Sequence, residues 1–156
     1  MSEKTNVARV FDARKIDYKF YTFETDGAIS GVEVAAILNK DPASVFKTLV
    51  TAGKTRRNYV FMIPVAAELD LKKASAAVGE KSVEMLKSKD LLPTTGYVHG
   101  GCSPVGMKKT FKTVVDSSAL NFATITFSAG KIGTQVETSL SELAKAVEFS
   151  TTDLTV

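Results

Sequence analysis

The sequence predicts a mixed α+β fold, and three observations lead there. Helical and strand patterns intermix along the chain without the strict strand–helix–strand rhythm of a doubly wound domain. The 156 residues suit one domain, residues 1–156, and no repeat, low-complexity tract or Pro/Ser-rich linker divides them. A hydrophobic content of 44% is ordinary for a globular chain, which at this length buries about 70% of its unfolded surface without needing a disulfide or a metal.

The elements follow in order. Val7, Val10, Phe11 and Ala13 give an apolar face to a helix over about Asn6 to Lys15. Tyr18 to Phe23 alternates as a strand, and Asp26-Gly27 marks a turn. Ser30-Gly31-Val32-Glu33 has the spacing of a capping box, hydroxyl first and carboxylate three residues on. It opens a helix to about Asn39, which Asp41-Pro42 breaks. Val45 to Thr51 and Tyr59 to Val65 read as two largely buried strands joined by a basic turn at Gly53 to Asn58. Asp70 caps a helix that Gly79 ends, and Ser82 to Ser88 is expected to form another. Pro93 to Gly106 is rich in glycine and proline, which predicts a loop. Then come a strand at Lys112 to Asp116, a helical turn at Ser117 to Asn121, and a strand at Ala123 to Phe127. A turn at Ser128 to Gly133 leads into a strand ending near Glu137. Ser139 with Glu142 repeats the capping-box spacing and starts a last helix through about Glu148.

Composition narrows the setting. Cys102 is the single cysteine, so the chain forms no internal disulfide and fits a reducing compartment. The N-terminal Met1 to Asn6 carries no apolar core of a signal peptide, and no stretch approaches the ~20 apolar residues that span a bilayer. The expected location is the cytoplasm, without membrane association. The net charge of +3, from 20 basic and 17 acidic residues, argues only weakly for a nucleic-acid partner. The clustering of Lys54, Arg56 and Arg57, of Lys72-Lys73, and of Lys108-Lys109 with Lys112 is more suggestive, although such clusters are commonly solvated surface.

Two segments imitate phosphate loops. Ala52-Gly53-Lys54-Thr55 ends like a Walker A motif, but its first glycine would fall at Thr48; Ser128 to Gly133 has Gly-Lys followed by Ile132 where Ser or Thr is required. His99 is the only histidine, and no Ser or Asp arrangement pairs with it in sequence. Cys102, three residues on, would need a base and an electropositive pocket to act as a nucleophile; a structural thiol is the simpler reading. No Cys/His/carboxylate cluster has metal-ligand spacing. Neither a metal nor another cofactor is expected.

Three features invite chemistry. Lys47 starts an apolar strand, on the same face as Val45 and Leu49. A buried ammonium must find water, a carboxylate or an anionic ligand, so Lys47 either snorkels to solvent or meets a ligand. Gly100-Gly101 lets backbone approach a ligand and aim N–H groups at developing negative charge, or simply makes a tight loop. Ser128 to Gly133 is open to the same two readings.

In this order, Val45-Phe46-Lys47-Thr48-Leu49, Pro64 with Leu69 to Lys73, Thr95-Gly96-Tyr97 followed by Gly101-Cys102-Ser103-Pro104-Val105-Gly106, and Ser128 to Gly133 resemble the YbaK (EbsC) family over about Thr5 to Phe149. That family contains Cys-tRNA(Pro) deacylases and is related to the editing domain inserted in bacterial prolyl-tRNA synthetases. The resemblance implies a single domain around a mixed, strongly curved sheet. It also implies an editing pocket in which Lys47 engages the tRNA 3′ end. Thr48, Ser128 and Gly130 would line it, and Gly100 and Gly101 would offer backbone groups to the scissile ester. Phe23 stands where members often carry a pocket tyrosine, and Gln135 where a carboxylate is expected. The implied activity removes cysteine from Cys-tRNA(Pro), and in some members Cys-tRNA(Cys), with the substrate's own thiol as nucleophile. The partners implied are the aminoacylated tRNA and prolyl-tRNA synthetase. Two alternatives stay open: a deacylase for another small amino acid such as Ala on tRNA(Pro), and a non-catalytic tRNA- or synthetase-binding module.

Overall fold

The computed structural model describes residues 4–156. Its elements are helix α1 (Asn6–Ala13), strand β1 (Lys19–Thr22), α2 (Gly31–Ile37), β2 (Phe46–Gly53), β3 (Asn58–Pro64), α3 (Leu71–Val78), β4 (Val83–Met85), α4 (Ser88–Thr95), β5 (Lys112–Asp116), β6 (Ile125–Ser128), β7 (Thr134–Thr138), α5 (Leu140–Leu143) and β8 (Phe149–Thr152). The mixed α+β class holds. The strands divide into a three-stranded antiparallel sheet, β1-β7-β6, and a five-stranded mixed sheet, β4-β2-β3-β5-β8. A single parallel bridge, Val45 to Thr126, joins them.

The central strand β3 explains why its sequence reads as a continuous apolar run. Val60 and Met62 pack toward Phe11, Phe46, Val50, Phe127 and Val136, between the two sheets and α1. Tyr59, Phe61 and Ile63 face the other way, onto Ala74 and Val78 of α3 and onto Leu154. A strand buried on both faces needs apolar residues at every position, and each such side chain stabilises the fold by about 1.5–3 kcal/mol relative to exposure.

Local chemistry sets most of the ends. The Ser30 capping box is complete: Ser30 Oγ accepts from the Glu33 amide and the Glu33 carboxylate from the Ser30 amide, both at 3.2 Å. Asp70 accepts from the Lys72 and Lys73 amides, and Gly79 ends α3 in the left-handed region at φ 74°. Helices α1 and α2 stop short of the expected Lys15 and Asn39, because both residues are themselves left-handed, at φ 56°.

Three expectations are corrected. Ser82 to Ser88 is not a helix. Val83 is buried, and β4 pairs with Thr51–Gly53 of β2, whose edge there would otherwise leave backbone groups unpaired. The Pro93-to-Gly106 loop begins late, because α4 runs through Pro93 to Thr95; Thr95 Oγ1 donates to the Leu91 carbonyl (2.8 Å), and the Gly96 amide to that of Leu92 (2.9 Å). The last helix spans only Leu140–Leu143: Ser139 caps it as expected, but the Glu142 carboxylate accepts from the Asp17 amide (3.0 Å) and the Lys145 ammonium. The chain then returns as β8, parallel to β5, a strand the sequence reading missed.

Candidate active site

The site lies where the two sheets part. The antiparallel ladder directs the backbone groups of Val45, Lys47 and Leu49 toward β3, as the Val65 amide on the Val45 carbonyl shows (2.9 Å). Those of Phe46, Thr48 and Val50 point to the opposite edge. There the Val50 carbonyl accepts from the Leu86 amide (3.0 Å), while beyond the Val45–Thr126 bridge no ladder continues between β2 and β6. The gap is a cavity of about 320 Å³, near the lower end of the range for ligand pockets. Ile29, Ser30, Gly31 and Val34 around the start of α2 close one side, and Leu91, His99, Gly100 and Cys102 another. Lys47, Thr48, Ser128 and Gln135 complete the polar lining. Gly31 lets α2 approach this closely, since a Cβ there would lie 2.4 Å from Val65 Cγ1.

Among the described residues no Asp or Glu lines this cavity. Lys47 is half-buried, and among the described residues no carboxylate lies within ion-pair distance of it. Of the three side-chain oxygens buried without a hydrogen-bond partner among the described residues, two line this cavity, Thr48 Oγ1 and Gln135 Oε1, and the third, Ser118 Oγ, lies outside it. Gln135 is 7% exposed. A buried polar atom without a partner costs about 1–3 kcal/mol, so these two oxygens give the cavity acceptors for a donor from outside the protein chain. Ser128 faces Gln135 across the β6–β7 pair, and its Oγ accepts from the Gly130 amide (3.1 Å), leaving the hydroxyl proton free to donate. Gly100 sits at φ 84°, where a Cβ would meet that of Ala28 at 2.7 Å; its own amide has no acceptor among the described residues.

Of the residues singled out by sequence, Lys47, Thr48, Gly100, Ser128 and Gln135 meet here, and three do not. Gly101 is buried and its amide donates to the Val98 carbonyl (3.0 Å), so that N–H is not available to an ester. Its missing side chain instead lets the loop lie against Lys131 and Ile132, whose backbone atoms would be 3.1–3.3 Å from a Cβ. Gly130 faces a second cavity behind the loop. Phe23 lies outside the cavity lining, and its amide ties the end of β1 to the Gly133 carbonyl (2.9 Å). A tyrosine and a carboxylate do stand one strand alternation from Phe23 and Gln135, outside the cavity lining. Tyr21 Oη donates to Glu137 Oε1 (2.5 Å), which also takes the Lys40 ammonium (2.8 Å). Conversely, His99 and Cys102, discounted from sequence, both line the cavity. Burial pushes the Cys102 thiol up to about 12, against a smaller opposite pull from the Thr95 hydroxyl, so it stays protonated at neutral pH. The covering residues Ile29, Ser30, Gly31 and Leu91 had carried no chemical signal in the sequence.

Comparison with known proteins decides the family. The model of the aminoacyl-tRNA editing domain matches residues 27–146, a span that includes every residue lining the cavity. The chain belongs to the aminoacyl-tRNA editing domain family. Its substrate class is therefore an aminoacyl-tRNA. A protein of Enterococcus faecalis (strain ATCC 700802 / V583), named as a proposed Cys-tRNA(Pro)/Cys-tRNA(Cys) deacylase, EbsC, is 46% identical over 136 residues, covering 86% of this chain and 83% of that one. Among solved structures, the hypothetical protein APE2540 superposes with a TM-score of 0.86 at 24% identity, over 99% of this chain and 100% of that one. A proposed trans-editing enzyme for prolyl tRNA synthetase does so with 0.86 at 20% identity, over 100% and 99%. At these identities the two structures establish the editing-domain fold shared with this chain. Among the described residues no helix is long and apolar enough to cross a membrane.

Proposed function

We propose that this editing-domain protein is a trans-editing deacylase that removes misattached cysteine from Cys-tRNA(Pro), and from Cys-tRNA(Cys) as a second substrate. The observation that carries the reading is the chemistry the cavity lacks. Among the described residues it has no carboxylate base, its one thiol is held protonated by burial, and its one imidazole, His99, has no carboxylate partner in the lining to orient it. The substrate's cysteine supplies what is missing. Its thiolate attacks the ester carbonyl, a carbon–sulfur bond forms, and the carbon–oxygen bond to the ribose breaks. The ribose oxygen takes up a proton equivalent to the one the thiol lost, and the amino acid leaves as a thiolactone that water opens.

Each lining group has a part in that step. The Lys47 ammonium holds the anionic 3′ end and meets no competing carboxylate. Gln135 Oε1 and Thr48 Oγ1 accept from the substrate's α-ammonium, which ends their orphaned state. The free Gly100 amide and the Ser128 hydroxyl donate toward the carbonyl oxygen as it gains charge. An aminoacyl ester is already activated, so positioning and oxyanion stabilisation suffice. The reading places the reaction in the cytoplasm and makes prolyl-tRNA synthetase the source of the mischarged substrate.

The test is single-turnover deacylation with enzyme in excess, comparing Cys-tRNA(Pro) with Ser-tRNA(Pro). The two side chains differ little in size, and selection by fit alone is worth only about 1–3 kcal/mol. A hydroxyl is un-ionised at neutral pH, whereas a free thiol of pKa ~8.5 is a few per cent thiolate. Cysteine should be released at least about a hundredfold faster. Equal rates would mean that the enzyme activates water, and would overturn the thiol mechanism.

A further inference from the structure

Behind the two glycine loops lies a second cavity, of about 370 Å³, lined by Lys4, Arg9, Lys108 and Lys131 together with Thr5 and Asn6 at the start of α1. Among the described residues no Asp or Glu lines it. Lys4 pairs with Asp12, outside the lining, whereas Arg9, Lys108 and Lys131 have no carboxylate within ion-pair distance among the described residues. Arg9, Lys108 and Lys131, three uncompensated cations around one concavity, repel each other, and the positive end of α1 adds to their field. The arrangement is built rather than accidental. Asn6 Nδ2 donates to the Gly106 carbonyl (3.2 Å), tying α1 to the first loop. A Cβ on Gly106 would meet Asn6 Nδ2 at 2.4 Å, and one on Gly130 would meet Tyr97 Cε1 at 3.1 Å and Val7 Cγ2 at 3.2 Å.

The two cavities share their wall. Along one loop Ser128 lines the first and Gly130 and Lys131 the second; along the other, Gly100 and Cys102 line the first and Gly96, Tyr97 and Gly106 the second. The shared loops set the two cavities side by side, so the second adjoins a ligand whose aminoacyl end fills the first. We infer that the basic cavity between α1 and the glycine loops is a seat for backbone phosphates of the tRNA acceptor end, positioned to hold the strand while its aminoacyl ester occupies the neighbouring pocket. This rests on the editing function proposed above. It adds α1, which lies outside the matched family segment, to the substrate-binding surface. Cations that contact phosphate displace counterions, so their contribution is sequence-independent and falls with salt.

The experiment uses the whole protein and two readouts. Binding of uncharged tRNA(Pro) is followed by fluorescence anisotropy across a salt series, and Cys-tRNA(Pro) deacylation by single turnover across enzyme concentrations. In the Lys108→Ala/Lys131→Ala variant, the half-saturating enzyme concentration should rise at least about tenfold and the slope of log K against log salt should flatten by about 2, roughly 1 per lost phosphate contact. The saturated rate should stay within about threefold of wild type. Arg9→Ala should shift affinity in the same direction. Lys54→Ala, in the turn at the far end of β2, is the control for general charge loss. Unchanged affinity and slope in the double variant would overturn the assignment, as would an equal loss in Lys54→Ala. So would stabilisation of wild type, but not of the double variant, by inorganic phosphate at constant ionic strength while tRNA affinity is the same in both, since that would mark a site for the free anion alone. Absence of deacylation in wild type alongside intact, cavity-dependent tRNA binding would instead strike the functional reading and leave the phosphate seat standing.

Discussion

Cys102 offers the sharpest check on the chemistry, because it lines the reaction cavity beside His99 and looks like half of a thiol–imidazole pair. The side chain is 8% exposed, and burial pushes its thiol up to about 12. At pH 7 such a group is thiolate to about 1 part in 10⁵, against about 3% for a free cysteine of pKa ~8.5, a deficit of on the order of 10³. A more basic thiolate is intrinsically more nucleophilic, with a Brønsted slope of about 0.4–0.5, which returns roughly 1.5 decades over that interval. The net expectation is alkylation by iodoacetamide about a hundredfold slower than for free cysteine at pH 7, before any steric hindrance. The rate should keep climbing about tenfold per pH unit past pH 9, with no plateau near 8.5. Mass spectrometry of the modified peptide over time gives that profile directly. Cys102→Ser should retain deacylation within about threefold, alone or with His99→Ala. A plateau between pH 7 and 8, or a loss of more than about a hundredfold in the Ser variant, the scale of a missing catalytic base, would refute the reasoning and make Cys102 the nucleophile.

Two further outcomes follow from the same geometry. Lys47→Ala should abolish measurable deacylation while changing unfolding free energy by less than about 1 kcal/mol, since a half-buried strand-end ammonium without an ion pair leaves no buried partner behind; Lys47→Arg should also be poor, because a planar guanidinium does not replace a compact ammonium, and wild-type turnover in Lys47→Ala would sink the assignment. At Glu137, burial acts to raise the carboxyl, but hydrogen bonds from Lys40, Thr124 and Tyr21 outweigh it and hold the group down to about 2 from an ordinary 4.5. A carboxyl depressed on folding stabilises the native state above its unfolded pKa and loses that contribution as pH falls through the folded one. Urea titrations from pH 6 to pH 2 should therefore show wild type losing about 2 kcal/mol below pH 4.5, discounted for solvent screening, that Glu137→Gln never had; parallel curves for the two proteins would refute this account.

What was legible in the sequence was local or periodic. The capping residues Ser30, Asp70 and Ser139, the left-handed Gly79, and the β2, β3 and β5 runs depend on contacts within a few residues or on alternation, and they appear where the pattern put them. The family motifs likewise carried Lys47, Thr48, Gly100 and Ser128 into one cavity, because motif order already encodes a shared fold, and Gln135, read as a departure from the family pattern, joins them there. Tertiary structure alone decided the rest. Val83–Met85 became a strand and Phe149–Thr152 another because sheet edges at Thr51–Gly53 and Thr113–Asp116 had backbone groups to pair, a demand no local propensity reports. Whether a glycine N–H is left free was equally invisible: of the adjacent residues, Gly101 is buried with its amide on the Val98 carbonyl, whereas Gly100 lines the cavity and its amide has no acceptor among the described residues. The standing of Cys102 turned on burial, which depends on side chains far away in the chain, and the basic cavity required α1 to pack against loops some hundred residues distant.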